Sequence, residues 1–255
     1  MILRNKMKFS VVIPVHNEEK YLPYCIAGLL KCPLYEVVFA LDRCSDRSFE
    51  IVESVDFPYR VKVIEIKKKE WNSPTAEPVF KGFKEVTGDV AYAVGSDFYL
   101  DPAIFKVDWR KIDVCSFGLI AYALYGNVRS KLMARLREQV LVNYEKMKSR
   151  MKHLDFGTGL YAFRTCMYKD FQHVDYDSED SYFLNTSIEK GYRYRYFPSK
   201  TLHLRPQNPR SLKFRAQIGV ADYHVTLPKA MFYTFKYLDT VYLREYLTVR
   251  ARPKT

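Results

Sequence analysis

Several short runs in this chain combine residue types that hold cations and move protons. The apolar segment Val90-Ala91-Tyr92-Ala93-Val94 ends in Gly95-Ser96-Asp97, with Pro102 soon after. An apolar strand that delivers a carboxylate at its C-terminal end is how open α/β sheets present polar groups to a ligand crevice. Upstream, Phe9 to Val15 runs into His16-Asn17-Glu18-Glu19, and Val37 to Leu41 runs into Asp42-Arg43-Cys44-Ser45-Asp46. Downstream lie the acidic pair Glu179-Asp180 and a late histidine, His203, between Leu202 and Leu204. Each has a plain reading as well. Asp97 can cap a turn, His203 can be a half-buried core residue, and Ser178-Glu179-Asp180 can cap the helix that follows. The order of the groups along the chain says more than any one of them.

The elements that must position these residues alternate. Phe9 to Val15, Val37 to Leu41, Val61 to Ile66 and Val90 to Val94 are buried-strand runs. Helices are expected between them, at about Tyr21 to Leu30 with Asn17 as cap and acids in its first turn, at Phe49 to Val55 capped by Ser45 or Asp46, and at Pro74 to Val86. Such alternation means a parallel sheet with crossover helices. The second half is less regular. Val114 to Tyr125 predicts a strand and a turn, and Val128 to Lys152 a long amphipathic helix with Leu132, Leu136, Val140, Tyr144 and Met147 on one face. Phe156 to Arg164 predicts a loop then a strand, and Asp180 to Lys190 a helix stopped at Gly191. Short strands follow at Tyr192 to Phe197 and Thr201 to Leu204. Asp101, before Pro102, starts a turn.

A chain of 255 residues can bury one α/β domain with an appendage. The net charge of +12 suits an anionic membrane surface, a nucleic acid or a phosphorylated substrate, or simple solubility. The five cysteines, Cys25, Cys32, Cys44, Cys115 and Cys166, form no C-x-x-C pair, which argues against a zinc site and a secreted disulfide framework. No signal peptide is visible, and no apolar run approaches the ~20 residues that span a bilayer. The expectation is a cytoplasmic protein, peripheral at most on the inner face of a membrane. No G-x-G-x-x-G or G-x-x-x-x-G-K-[ST] is present, which weakens dinucleotide and P-loop readings.

In order and spacing, these groups resemble the family 2 glycosyltransferases of the GT-A fold. Val11-Val12-Ile13-Pro14-Val15-His16-Asn17-Glu18-Glu19 looks like the opening strand and nucleotide loop of that family. Leu41-Asp42-Arg43-Cys44-Ser45-Asp46-Arg47-Ser48 looks like its second acidic motif. Gly95-Ser96-Asp97 stands where its Asp-x-Asp belongs, and Ser178-Glu179-Asp180, then Gly191-Tyr192 and His203, resemble its acceptor-side acids and late histidine. The likeness covers roughly Lys8 to Tyr223. Two departures stand out: Gly95 replaces the first acid, and the helix near Phe80 keeps Lys81-Gly82 but lacks the usual Asn. The Gln-x-x-Arg-Trp motif of processive synthases is absent, so one sugar per encounter is expected.

The resemblance implies a predominantly parallel GT-A sheet flanked by helices over 1–225, with a nucleotide-sugar half at about 1–101 and an acceptor half at about 102–225. A helical aromatic and basic tail at 226–255 follows. It implies an inverting, metal-dependent transfer from a nucleotide diphosphate sugar to a glycan hydroxyl or a polyprenyl-phosphate-type acceptor. Asp97 and His203 would hold Mn²⁺ or Mg²⁺. Asp180 would be the base, oriented by Glu179, with Asp175 and Asp177 as competitors. Pro14, His16, Glu18, Asp42, Lys81, Ser96 and Asp97 would line the donor, and Arg210, Lys213 and Arg215 could clamp its diphosphate. The tail, with Met231, Phe235, Leu238 and Tyr242 on one face, could lie on a membrane, pack on the domain, or pair two subunits as a homodimer. No nucleic acid is expected. The alternatives are a nucleotidyltransferase on a similar sheet, a basic nucleic-acid- or membrane-binding protein, and a GT-A domain without catalysis.

Overall fold

The computed structural model describes residues 7–71, 75–122, 124–125, 159–171 and 179–205. Met1–Ile120 with Glu145–Leu204 form one compact unit, and Ala121–Tyr144 with Arg205–Thr255 a second. The geometry that follows belongs to the first unit. The expected long helix at Val128 to Lys152 and the tail at 226–255 lie outside the described residues.

The first half alternates as expected: β1 (Phe9–Val15), α1 (Leu22–Leu29), β2 (Glu36–Asp42), α2 (Ser48–Glu53), β3 (Arg60–Ile66), α3 (Ala76–Phe83) and β4 (Val90–Ala93). Then come β5 (Phe98–Tyr99), a 3₁₀ turn at Pro102–Lys106, β6 (Val114–Phe117), β7 (Ile120–Ala121), β8 (Tyr161–Arg164), a 3₁₀ turn at Thr165–Asp170, α4 (Glu179–Glu189), β9 (Tyr194–Phe197) and β10 (Leu202–His203). Seven strands form one sheet in the order β3-β2-β1-β4-β8-β6-β9. β1 is parallel to both β2 and β4, and β2 is parallel to β3. β8 runs antiparallel between β4 and β6, while β9 returns parallel to β6.

Strand alternation sends side chains to the two faces in turn. Val11, Ile13 and Val15 of β1 join Leu22, Cys25, Ile26 and Leu29 of α1 in one core, whereas Val12 joins Val79, Phe80 and Phe83 of α3 in the other. Phe183 and Leu184 of α4 complete that second core. α3 lies so near β1 that a Cβ at Gly82 would sit 2.3 Å from Val12 Cγ1. Among the described residues the sheet ends at β3, where Arg60, Val61 and Lys62 are exposed.

Two local expectations are corrected. Asn17 does not cap α1: Tyr21 stands at that position, no side chain caps the helix, and its first turn holds no acid. Asn17 instead adopts φ 54°, and its Oδ1 accepts from Ser45 N at 2.7 Å. The side chain thus joins two loops rather than closing a helix end. At α2 neither Ser45 nor Asp46 is the cap: Arg47 stands there without a side-chain cap bond, and Asp46 Oδ1, one residue earlier, accepts from Ser48 N at 3.1 Å.

The order β3-β2-β1-β4 places the direction reversal between β1 and β4. In open α/β sheets that is where the crevice for a ligand opens, at the carboxyl ends of the strands. His16 follows β1, Asp42 is the last residue of β2, and Asp97 lies in the loop after β4.

Candidate active site

The loops after β1 and β2 are stitched together. Glu18 N donates to Ser48 Oγ at 2.8 Å, Glu19 N to Asp46 Oδ2 at 2.9 Å, and Cys44 Sγ approaches Val15 O at 3.4 Å. Burial opposes ionisation of Asp46, but the Ser48 hydroxyl and the Glu19 and Ser48 amides outweigh it and hold the carboxyl below its usual value. Asp42 ends β2 with 2% of its side chain exposed. Arg43 grips it through a fork, Nε to Oδ1 at 2.7 Å and Nη2 to Oδ2 at 2.5 Å. Arg43 takes φ 49°, a costly backbone for a side-chain-bearing residue, and residues so strained cluster at functional sites. Residue 43 was part of the acidic motif, but its grip on Asp42 has no signature in spacing. His16 Nδ1 lies 2.6 Å from Asp42 O, a carbonyl that only accepts, so that nitrogen carries a proton. Pro14 is half-buried within β1, and Glu18 is buried. A pocket of about 380 Å³ opens at the ends of β2 and β3, lined among others by Arg43, Phe49, Glu65 and Lys67.

Asp97 and His203 meet because of the second, three-stranded sheet, β5-β10-β7. β5 begins one residue after Asp97 and pairs antiparallel with β10, in the register Phe98 opposite His203. Leu204 N donates to Asp97 O at 2.9 Å, and His203 Nε2 then lies 3.1 Å from Asp97 Oδ2. The Phe98 ring meets the imidazole edge-on at 5.2 Å between centroids. Ser96 beside them is buried. Gly95 has a steric cause: a Cβ there would come 2.9 Å from Asp97 Oδ1 and 3.0 Å from the Phe98 ring.

One carboxylate oxygen and one imidazole nitrogen are donors that would suit a divalent ion of the Mn²⁺ type. Among the described residues no group of three or more His, Cys, Asp or Glu side chains is gathered for a metal, so the fit rests on this pair.

Glu179 and Asp180, the acids expected on the acceptor side, open α4. Asp180 is buried, with Oδ2 accepting from Gly159 N at 2.9 Å and Oδ1 from Ser181 N at 2.7 Å. Gly159 takes φ +70°, and a Cβ on it would meet the Phe98 ring at 3.5 Å. Phe98 therefore borders the Asp97–His203 pair on one side and the glycine that holds Asp180 on the other. Glu179 Oε2 accepts from Thr75 Oγ1 at 2.8 Å, which ties α4 to the start of α3. Lys81 on α3 ion-pairs with Glu77 at 2.8 Å and Glu70 at 3.1 Å. Those acids overcome its partial burial and raise its pKa. Asp101 starts a turn, accepting from Ala103 N at 3.0 Å. Arg210, Lys213, Arg215, Asp175 and Asp177 lie outside the described residues.

Comparison with known proteins agrees with this architecture. The family model described as "Glycosyl transferase family 2" matches residues 10–171. The poly(ribitol-phosphate) β-N-acetylglucosaminyltransferase TarS of Staphylococcus aureus is 32% identical over 175 residues, 64% of this chain and 29% of the relative. A dolichol-phosphate mannosyltransferase of Pyrococcus furiosus is 34% identical over 101 residues, 38% of this chain and 28% of the relative. The chain thus spans under a third of the length of these two curated relatives. Among solved structures, S. aureus TarS 1-349 with UDP-GlcNAc superposes with TM-score 0.57 at 20% identity, over 83% of this chain and 65% of that one. The mannosyltransferase PcManGT of Pyrobaculum calidifontis, in complex with GDP-Man and Mn²⁺, gives 0.58 at 17% identity, over 96% and 70%. At those identities the structures speak for the fold, which is GT-A. With the family model covering more than half of the chain, the protein belongs to glycosyl transferase family 2.

Proposed function

We propose that the protein is a metal-dependent, inverting, non-processive glycosyltransferase that moves a sugar from a nucleotide diphosphate sugar to an acceptor hydroxyl or lipid phosphate. The observation that carries this reading is the Asp97–His203 pair at the end of β4, on the strand-end rim that also bears Asp42 and His16. The nucleobase and ribose are read by Asp42, His16, Pro14 and Glu18, with the pocket at the ends of β2 and β3 giving room beside them. Asp97 and His203 hold Mn²⁺ or Mg²⁺, and Ser96 faces the donor. The bound ion supplies charge neutralisation on the leaving diphosphate. Asp180 accepts the acceptor hydroxyl proton as the new oxygen–C1 bond forms and the C1–diphosphate bond breaks, releasing the nucleoside diphosphate. Glu179 orients the acceptor.

Relatives support both halves of the reaction. TarS and PcManGT were solved with UDP-GlcNAc and GDP-Man, the latter with Mn²⁺. An undecaprenyl-phosphate 4-deoxy-4-formamido-L-arabinose transferase of Pectobacterium carotovorum, 26% identical over 165 residues, is named for a polyprenyl phosphate. An acceptor phosphate is already ionised and has no proton to lose, so dependence on Asp180 separates a hydroxyl acceptor from a phosphate. No helix of the described residues is long and apolar enough to cross a membrane. Contact with a lipid acceptor would be peripheral, through the basic surface and the tail at 226–255. Family membership sets aside the nucleotidyltransferase reading.

A thermal-shift screen of nucleotide sugars with and without Mn²⁺ tests the proposal, because a ligand that binds only the folded state raises Tm by mass action. At least one nucleotide sugar should raise Tm more with Mn²⁺ than with a chelator. Failure of every nucleotide sugar under both conditions would overturn the reading.

A further inference from the structure

We propose that the Tyr161 hydroxyl is a positioning group for the Asp180 carboxylate, an inference that rests on Asp180 being the acceptor-side base. Tyr161 opens β8 and is fully buried in the aromatic core between the sheet and helices α3 and α4. Its ring lies 5.5 Å from that of Phe183, one helical turn along from Asp180, and 6.2 Å from that of Phe83. Its hydroxyl has no hydrogen-bond partner.

A buried hydroxyl without a partner costs stability, and phenylalanine would fill the same space without that cost. The cost needs a reason, and the surroundings offer one. Gly159, two residues before Tyr161, already donates its amide to Asp180 Oδ2, while Ser181 N holds Oδ1. Each Asp180 oxygen accepts one amide and keeps a second lone pair that can take an acceptor proton, so a further donor would fix which lone pair faces the acceptor. The phenol is the donor at hand to do this and hold the carboxylate in its working orientation. The titratable groups whose charges act on Tyr161 are Glu179 and Asp180 from α4 and Tyr168 from the second 3₁₀ turn. After burial, the two carboxylates are the strongest influences keeping the phenol protonated, and therefore a donor. Glu179 is the poorer partner, since its Oε2 is taken by Thr75.

The test is a double-variant cycle in the full chain, with single-turnover rates for wild type, Tyr161→Phe, Asp180→Asn and the pair, and Tm for each. Loss of one orienting hydrogen bond should slow Tyr161→Phe by about tenfold with donor affinity unchanged, while Tm stays level or rises. In the Asp180→Asn background the same change should cost nothing further, because there is no carboxylate left to orient. No loss in Tyr161→Phe, or an equal loss in both backgrounds, overturns the inference. If Asp180→Asn itself turns over like wild type, the base reading fails. If that variant is slow and Tyr161→Phe is not, only the role of Tyr161 fails.

Discussion

Asp97 and His203 are 106 residues apart in the chain and 3.1 Å apart in space. The short pairing of β5 with β10 makes that meeting, and it uses backbone bonds on both sides of the pair. The site is therefore held by the main chain, and changes to the two side chains should affect binding more than folding.

In Asp97→Asn the shape is kept and the anionic ligand lost. A donor at a hundred times its Kd stabilises the wild type by ~2.7 kcal/mol. The Mn²⁺-dependent part of that gain should vanish in Asp97→Asn and shrink in His203→Gln, as read by calorimetric Tm with and without chelator.

Asp180→Asn tests the base. General-base catalysis contributes about 10²–10⁴-fold, and kcat toward a hydroxyl acceptor should fall by that much while donor affinity holds. An unchanged kcat with a lipid phosphate would identify the acceptor as one with no proton to give up.

Restoring the family's first acid should harm this protein. In Gly95→Asp the new Cβ meets the Asp97 carboxylate and the Phe98 ring, and the two carboxylates repel. Overpacking of this kind costs roughly 1–3 kcal/mol. Urea unfolding should show a lower midpoint, and Mn²⁺ affinity should fall rather than rise.

Glu36 sits at the opposite end of the sheet, buried at the start of β2. It accepts from Ser10 Oγ at 2.6 Å, Thr87 Oγ1 at 2.8 Å, Gly88 N at 3.1 Å and Thr87 N. Burial alone would raise its pKa, but these donors outweigh it, and the folded-state value lies below the usual 4.5. A depressed carboxyl contributes stability that is present above the unfolded pKa and is lost as pH falls through the folded one. Glu36→Gln should cost roughly 1–3 kcal/mol at neutral pH. The gap to wild type in urea titrations should close below pH 4.5.

Much of this was legible in the sequence because buried parallel strands are continuous apolar runs. The apolar run Phe9–Val15 coincides with β1, and the runs at Val37, Val61 and Val90 match their strands within one residue at each end. The acids at their ends followed, since a strand's last residue fixes where the next side chain goes. What was not legible depends on distant partners. β5 is two residues long and has no periodicity of its own; it exists because β10 returns to it. Arg43 looks like any solvated cation until its fork closes on Asp42. Tyr161 reads as core, and only its unpaired oxygen distinguishes it. Asn17 carried a helix-cap signal, but the left-handed backbone there sent its side chain to Ser45.

The margin of the large sheet carries a consequence for handling the protein. Among the described residues β3 is paired on one side alone, which leaves a row of peptide groups open to a new strand, and Arg60 and Lys62 stand exposed along it. Charged side chains on such a margin, Arg60, Lys62 and Glu65 among them, hinder two copies from adding edge to edge. Acylating Lys62 or screening these charges with salt would weaken that protection, with Val61 already at the surface. Concentrated stocks should then thicken into β-rich assemblies at this edge first, with the binding crevice still intact.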